Sequence, residues 1–336
     1  MPAEWEKHSA IWLSFPHDNE SFPHLAEAQS AHADFVRAIS DYEQVELQVL
    51  DETAKAHVTS LLTERGANLD NIRFHVREYA DIWFRDYGPL FVVNDTTKEL
   101  AMTKWTFNAW GGKYDALLKD NGIPYEMNKQ MKLDMFETGI VMEGGSLELN
   151  GKGTVLTTTQ CLLNKNRNPK LSREEIEKYL DDYLATPNVV WLTEGIEGDD
   201  TDGHIDDIAR FVNETTIVCA VEKNESDANY RALKENFELL KEAKDQNGNP
   251  FTVVPLPMPS PVVSTVNGKR LPASYANFYI GNGVVIMPTF EAPEDAEALK
   301  ALESVFPNHK VIGLNAKYLV YGFGTFHCMS QQQPAV

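Results

Sequence analysis

Apolar residues recur every three or four positions, with charged residues between them, over 25–39, 52–65, 113–120, 172–185, 228–246 and 294–306. That spacing predicts amphipathic helices. Start signals accompany several: Ser172 precedes Arg-Glu-Glu, Asp51 precedes Glu-Thr-Ala, and Pro293 leads into Glu-Asp-Ala-Glu. Short apolar runs at 11–13, 45–50, 155–158, 217–221, 251–254 and 284–287 have the length and β-branched content of strands. The alternation over 208–212 points to mixed rather than purely parallel sheet. From the second helix on, helix starts fall near 52, 113, 172, 228 and 294. A helix with two or three strands in each interval suggests a repeated α/β unit, although plain α/β alternation gives a similar spacing. Residues 246–250 form a tight turn, 255–261 a proline-rich surface loop or edge, and no low-complexity linker divides the chain. One domain over 1–336 is expected.

Composition narrows the partners. Fifty acids against thirty bases leave a formal charge of −20, which disfavours nucleic acid or an anionic membrane face and attracts small cations. Three cysteines, Cys161, Cys219 and Cys328, form neither a disulfide framework nor a CxxC pair. The first residues have no cationic segment followed by an apolar run, and no uncharged stretch approaches the roughly 18 residues of a membrane helix. A reducing cytoplasm is the expected compartment. No GxGxxG or GxxxxGK[ST] is present, so no nucleotide cofactor is expected. The acidic stretch 199–207 fails as a calcium loop: with Gly203 at the turn glycine, Gly198 takes the first ligand position and Ala209 the place of the bidentate Glu.

Five segments hold polar and aromatic residues that packing alone explains poorly: 81–89 with Trp83 and Asp86, 108–112 with Trp110, 142–145 with Glu143, 202–206 with His204 and Asp206, and 322–328 with Cys328. Cys161 and Cys219 lie in apolar strand-like runs and are assigned to packing. Cys328 follows Gly-Phe-Gly in polar company. A cysteine, a distant histidine and several carboxylates are the ingredients of thiolate attack on an electrophilic carbon with imidazole moving protons. If 204–206 is extended, His204 and Asp206 share one face. So many acids suit a guanidinium, whose forked N–H donors carboxylates accept in pairs and whose charge tryptophan faces attract.

These segments, with Met-Pro-Ala-Glu-Trp-Glu at the start, Cys-Leu-Leu-Asn-Lys-Asn-Arg-Asn-Pro at 161–169, Ala-Ser-Tyr-Ala-Asn-Phe-Tyr at 273–279 and His-Cys-Met-Ser-Gln-Gln at 327–332, resemble the agmatine deiminases of the guanidine-modifying superfamily. The resemblance runs nearly end to end. It implies an α/β fold, a five-bladed α/β-propeller of pseudo-repeated ββαβ units around a central site. It also implies hydrolysis of agmatine without metal or organic cofactor, and homo-oligomeric assembly. Position by position, Cys328 corresponds to the nucleophile, His204 to the acid/base and Glu143 to the acid beside it. Asp86 and Asp206 match the guanidinium grip, and Trp83, Trp110 and Gly324 the pocket wall. One departure stands out: Phe323 occupies the middle of an expected Gly-Gly-Gly. Two rivals remain open at this stage: a deiminase of arginine or peptidyl-arginine, or an amidinotransferase, on the same fold, which needs a base such as Arg77, Lys113 or Lys223 facing the site, and a non-catalytic propeller. A metal-dependent hydrolase built on 199–207 is a third.

Overall fold

In a computed structural model describing residues 1–336, the strands are β1 (His8–Ser14), β2 (Gln44–Val49), β3 (Ile72–Val76), β4 (Leu90–Val93), β5 (Leu100–Thr106), β6 (Asp134–Val141), β7 (Glu148–Leu149), β8 (Thr154–Thr158), β9 (Asn188–Leu192), β10 (Ala209–Asn213), β11 (Thr216–Val221), β12 (Thr252–Pro257), β13 (Tyr279–Gly281), β14 (Val284–Thr289), β15 (Lys310–Asn315) and β16 (Ser330–Pro334). They make five small sheets, in the orders β16-β1-β2-β3, β4-β5-β6, β7-β8-β9, β10-β11-β12 and β13-β14-β15. In each, an antiparallel pair is followed by a helical crossover into a parallel strand, because parallel neighbours need a long connection and a helix covers the face it crosses.

The first and last parts of the chain share one sheet, with Ile11 opposite Gln332. Contacts run from β16 to β4, from β6 to helix Arg173–Leu184, from β7 to β10, from β12 to helix Asp295–Val305, and from β15 back to helix Leu25–Ser40. Five α/β units in this succession agree with the architecture the resemblance implies. A continuous core joins the first and last sheets through Ile11, Leu13, Phe35, Ile286 and Phe326, each fully buried.

Local signals account for most helix starts. Asp51 accepts from the Ala54 amide at 2.7 Å, and Ser172 forms a reciprocal capping box with Glu175, a device that contributes about 1 kcal/mol. Two expectations are corrected. The helix starting at 52 does not open a new unit. Helices Leu25–Ser40 and Glu52–Glu64 both serve the first sheet, which carries an extra parallel strand, β3. And 113–120 is no α-helix: Asp115–Gly122 is a 3-10 strap, followed by the helix Ile123–Met131. Its side chains are used elsewhere. Asp120 accepts from the Ala80 and Asp81 amides at 2.6 and 3.0 Å, and Asn121 from the Phe107 amide at 2.9 Å. Pro124 fits the first turn, where no intrahelical N–H bond is lost. Pro255 and Pro257 lie on β12, an edge strand, where alternate N–H groups face away from the ladder.

Candidate functional site

Asp86 rides on a single helical turn, Phe84–Tyr87, ended by Gly88-Pro89. Its two oxygens are held apart: Oδ2 accepts from Trp110 Nε1 at 2.9 Å and Oδ1 from the Gly145 amide at 3.1 Å. Trp110 reaches it from a loop in which Ala109 and Trp110 both have positive φ, 56° and 53°, backbone strain of the kind that collects at functional sites. Cys328 precedes β16, and Trp83 packs beside it. A Cβ on Gly324 would lie 2.6 Å from Trp83 Cζ3 and 3.1 Å from Cys328 Sγ, so glycine permits the approach. Phe323 sits at φ 71° and lines the same cleft, taking the left-handed conformation that a glycine adopts without strain.

His204 and Asp206 are not on a strand. Ile205–Asp207 is a 3-10 turn with His204 at its start, so the expectation of a shared strand face is corrected. The turn exists because Asp199 Oδ2 accepts from the Gly203 amide at 2.7 Å and the His204 amide at 3.2 Å. The two side chains meet nonetheless. A Cβ on Gly145 would lie 2.6 Å from His204 Nδ1, 2.7 Å from Asp86 Oδ1 and 3.2 Å from Asp206 Oδ2. Three functional groups from two segments converge on that one bare backbone position of a third.

Hydrogen bonding leaves particular atoms open. Asp206 Oδ2 faces His327 Nδ1 at 2.7 Å and Cys328 Sγ at 3.4 Å, while its Oδ1 is buried and unpaired. Asn277 Nδ2 stands 2.9 Å from the sulfur. Glu143 Oε1 accepts from Arg167 Nε at 2.7 Å, and its Oε2, unpaired, lies 3.9 Å from His204 Nε2. His204 Nδ1 lies 3.7 Å from Asp86 Oδ1.

Electrostatics follow. Burial pushes the Cys328 thiol well above its usual range, helped by Asp206, Asp207 and Asp86. Burial also raises Asp86, to about 6, with His204 pulling the other way. At His204 burial favours the neutral ring, but Asp86, the Cys161 sulfur and Glu143 outweigh it and hold the imidazole well above its ordinary value. Burial works against the charge on Glu143, yet Arg167 and His204 keep it low. The arrangement is thus a protonated thiol beside an imidazolium and anionic oxygens. It can receive a planar cation, deliver a proton and direct sulfur at an electron-poor carbon.

Above these groups opens a cavity of about 270 Å³. Trp83, Asp86, Trp110 and Cys328 line it, with Tyr114 and Phe323 at the sides. Its acids include Asp18, Glu20, Asp81, Asp115 and Asp200, and no Lys or Arg lines it. Lys113 is bound to Asp202 at 2.9 Å and Lys223 to Glu297 at 2.7 Å; Arg77 does not line the cavity either.

The packing assignment of Cys161 is incomplete. It is fully buried, but its sulfur, Glu143 and His204 present ligand atoms all within 4.8 Å of one another. Asp206, Asp207 and Cys328 form a second such group, and Glu4, Glu148 and His327 a third. Arg167 already offsets charge in the first, and Arg210, 2.7 Å from both Glu4 and Glu148, does so in the third. The acids of 199–207 are dispersed: Asp199 caps the turn, Asp202 pairs with Arg167 and Lys113, and Asp206 and Asp207 face inward. Sequence reasoning passed over Asn277, His327, Arg167 and Asp207. All lie inside or beside quoted motifs, which was the one signal available.

Residues 1–334 match the family model described as Porphyromonas-type peptidyl-arginine deiminase. An agmatine deiminase of Stutzerimonas stutzeri is 38% identical over 359 residues, spanning 100% of this chain and 95% of its own. The solved agmatine deiminase of Enterococcus faecalis, described as catalysing its reaction, superposes with a TM-score of 0.92 at 32% identity, over 99% of this chain and 95% of that one. A cysteine-to-serine agmatine deiminase of C. jejuni with substrate bound gives 0.88 at 32%, over 99% and 95%.

Proposed function

We propose, from the premise that the chain belongs to the Porphyromonas-type peptidyl-arginine deiminase family, that it hydrolyses agmatine to N-carbamoylputrescine and ammonia. Residues 1–336 then act as one catalytic domain, in a reducing cytoplasm that suits three free thiols. The observation that carries the reading is the cleft itself. Its floor sets a thiol 3.4 Å from a carboxylate that has one buried oxygen still free. Its walls carry acids and aromatic faces and no Lys or Arg. An arginine or peptidyl-arginine substrate brings a carboxylate or peptide carbonyl that asks for a donor. Agmatine brings a second cation, which the acidic rim favours.

The guanidinium sits between Asp86 and the free Oδ1 of Asp206, against Trp83 and Trp110. Paired N–H···O contacts orient it and draw charge away from the carbon. Its positive charge offsets the burial and the acids that hold the Cys328 thiol protonated, so with the substrate in place the thiol loses its proton to solvent and the thiolate forms. Sulfur bonds to the guanidinium carbon, giving a tetrahedral adduct. The His204 imidazolium donates its proton to a terminal nitrogen, the C–N bond breaks and ammonia leaves, with an S-alkylthiouronium remaining on Cys328. His204, now neutral, takes a proton from water as its oxygen bonds to the same carbon. Collapse of the second adduct breaks the C–S bond and passes its hydroxyl proton to the departing sulfur, leaving the ureido product, the thiol and the imidazolium of the starting state. Glu143, fixed by Arg167, favours the charged imidazole throughout.

Cys328→Ser tests the reading. It retains agmatine binding by calorimetry while turnover drops by at least about a thousandfold. Residual hydrolysis close to that of the parent protein removes Cys328 as nucleophile. Arginine turned over as fast as agmatine removes the substrate assignment.

A further inference from the structure

Asp206 is bound by a second imidazole. His327 Nδ1 is 2.7 Å from Asp206 Oδ2 and His327 Nε2 is 2.8 Å from Glu4 Oε2. The ring is fully enclosed, as are both carboxylates. We propose that His327, anchored by Glu4, is a positioning residue that holds Asp206 anionic and turns its free Oδ1 toward the substrate.

The geometry allows few alternatives. Carboxylates accept only, so with Asp206 and Glu4 both ionised each ring nitrogen of His327 must donate. A donor locked onto Oδ2 leaves Oδ1 as the sole open acceptor, and Oδ1 is indeed the buried oxygen with no partner. Burial works against the charge on Asp206, and its bond to His327 is the leading influence that holds the group below the ordinary carboxylate range. Glu4 is held from four sides. Arg210 Nη2 donates to Oε2 at 2.7 Å, the Ile280 amide to Oε1 at 2.8 Å, and Arg85 stands at 3.7 Å. The backbone around His327 is fixed as well. Its amide donates to Asn277 Oδ1 at 3.1 Å, and the same oxygen receives the Cys328 amide at 3.2 Å.

The result is a line from the fourth residue of the chain, through His327 and Asp206, to the sulfur. The other charged groups facing it are Glu148 and Arg210 from neighbouring strands, Arg85 from the Asp86 turn, and His204 and Asp207 from the Asp206 turn.

This inference rests on the agmatine reading, and its test separates the two. His327→Asn can still donate to Asp206 but cannot reach Glu4; His327→Ala loses both bonds. In His327→Ala, kcat/KM for agmatine falls about 10- to 100-fold, the range for a lost hydrogen bond to a charged group. The loss is carried mainly by KM, and His327→Asn recovers most of it. Loss within threefold of the parent, or no recovery in His327→Asn, overturns the proposal.

Independently of any substrate, proton NMR of the parent protein shows two exchange-protected ring N–H signals that vanish in His327→Asn, and one of them is missing in Glu4→Gln. A single ring N–H in the parent overturns the proposal. A parent protein inert toward agmatine but showing both signals overturns the substrate reading and leaves the positioning role standing.

Discussion

Two imidazoles in this molecule are equally hidden from water and meet opposite fates. His204 beside Asp86 and His32 on helix Leu25–Ser40 are both buried, and neither ring has a hydrogen-bond partner within ordinary limits. His32 lies against Phe15, ring centroids 5.2 Å apart, and burial drives its basicity down to about 3, with little counter-pull from the Ser14 backbone. His204 suffers the same burial but lies within 4 Å of Asp86 and Glu143, and its basicity is held far above the ordinary value. Burial alone makes a silent, neutral ring. Burial among anions makes a proton donor whose charge water cannot screen.

The sharpest way to break this contrast is to remove each ring in turn. His204→Asn loses about 10²- to 10⁴-fold in kcat, the range for a general acid/base, with little change in melting temperature. His32→Leu keeps kcat within about twofold, since it lies in an apolar layer and Leu is a good helix former. Comparable kcat losses in the two variants end the distinction.

Next in size is Asp86→Asn, which takes from His204 the strongest of its anionic neighbours. Productive binding needs Asp86 ionised, so kcat/KM of the parent falls as pH drops through about 6. It also needs His204 charged, so activity falls again as pH rises through the elevated basicity of that ring. In Asp86→Asn the acid limb disappears and the alkaline limb moves to lower pH, while kcat/KM at the optimum drops about 100-fold or more. An unmoved alkaline limb shows that Asp86 does not sustain the imidazolium.

The contrast also marks where sequence reading stops. Five of the six expected helices, and strands β1, β2, β8, β10, β11, β12 and β14, follow from periodicity and caps, because those signals are local. Asp86, Glu143, His204, Asp206 and Cys328 were legible as chemistry-rich segments among glycines and aromatics. Their partners were not. Cys328 meets Asn277 across 51 residues and His327 meets Asp206 across 121, separations at which composition carries no pairing information. Cys161 was hidden for a different reason. Its run reads as strand and core, and the chain turns at Thr159–Leu162 to lay that sulfur beside His204 and Glu143. The strap at 115–122 failed as a helix because Asp120 and Asn121 bind backbone groups of other elements, which no helical pattern records.

The smallest effect, and the cleanest on energetic grounds, belongs to the silent ring. In the unfolded chain His32 titrates near its ordinary 6.5, and in the folded chain near about 3. Its folded basicity is depressed, so the unfolded state takes up the proton first. Stability is therefore complete above about pH 6.5 and is lost progressively as pH falls from there toward about 3. Between about pH 6.5 and about pH 4.5 this ring accounts for about 2 to 3 kcal/mol. His32→Leu cannot take up that proton. Urea unfolding of parent and variant at about pH 7.5 gives free energies within about 1 kcal/mol, and at about pH 4.5 the variant is the more stable by about 2 kcal/mol. Parallel losses in the two proteins over that interval put the acid sensitivity in other groups and leave burial without charge an insufficient account of the ring.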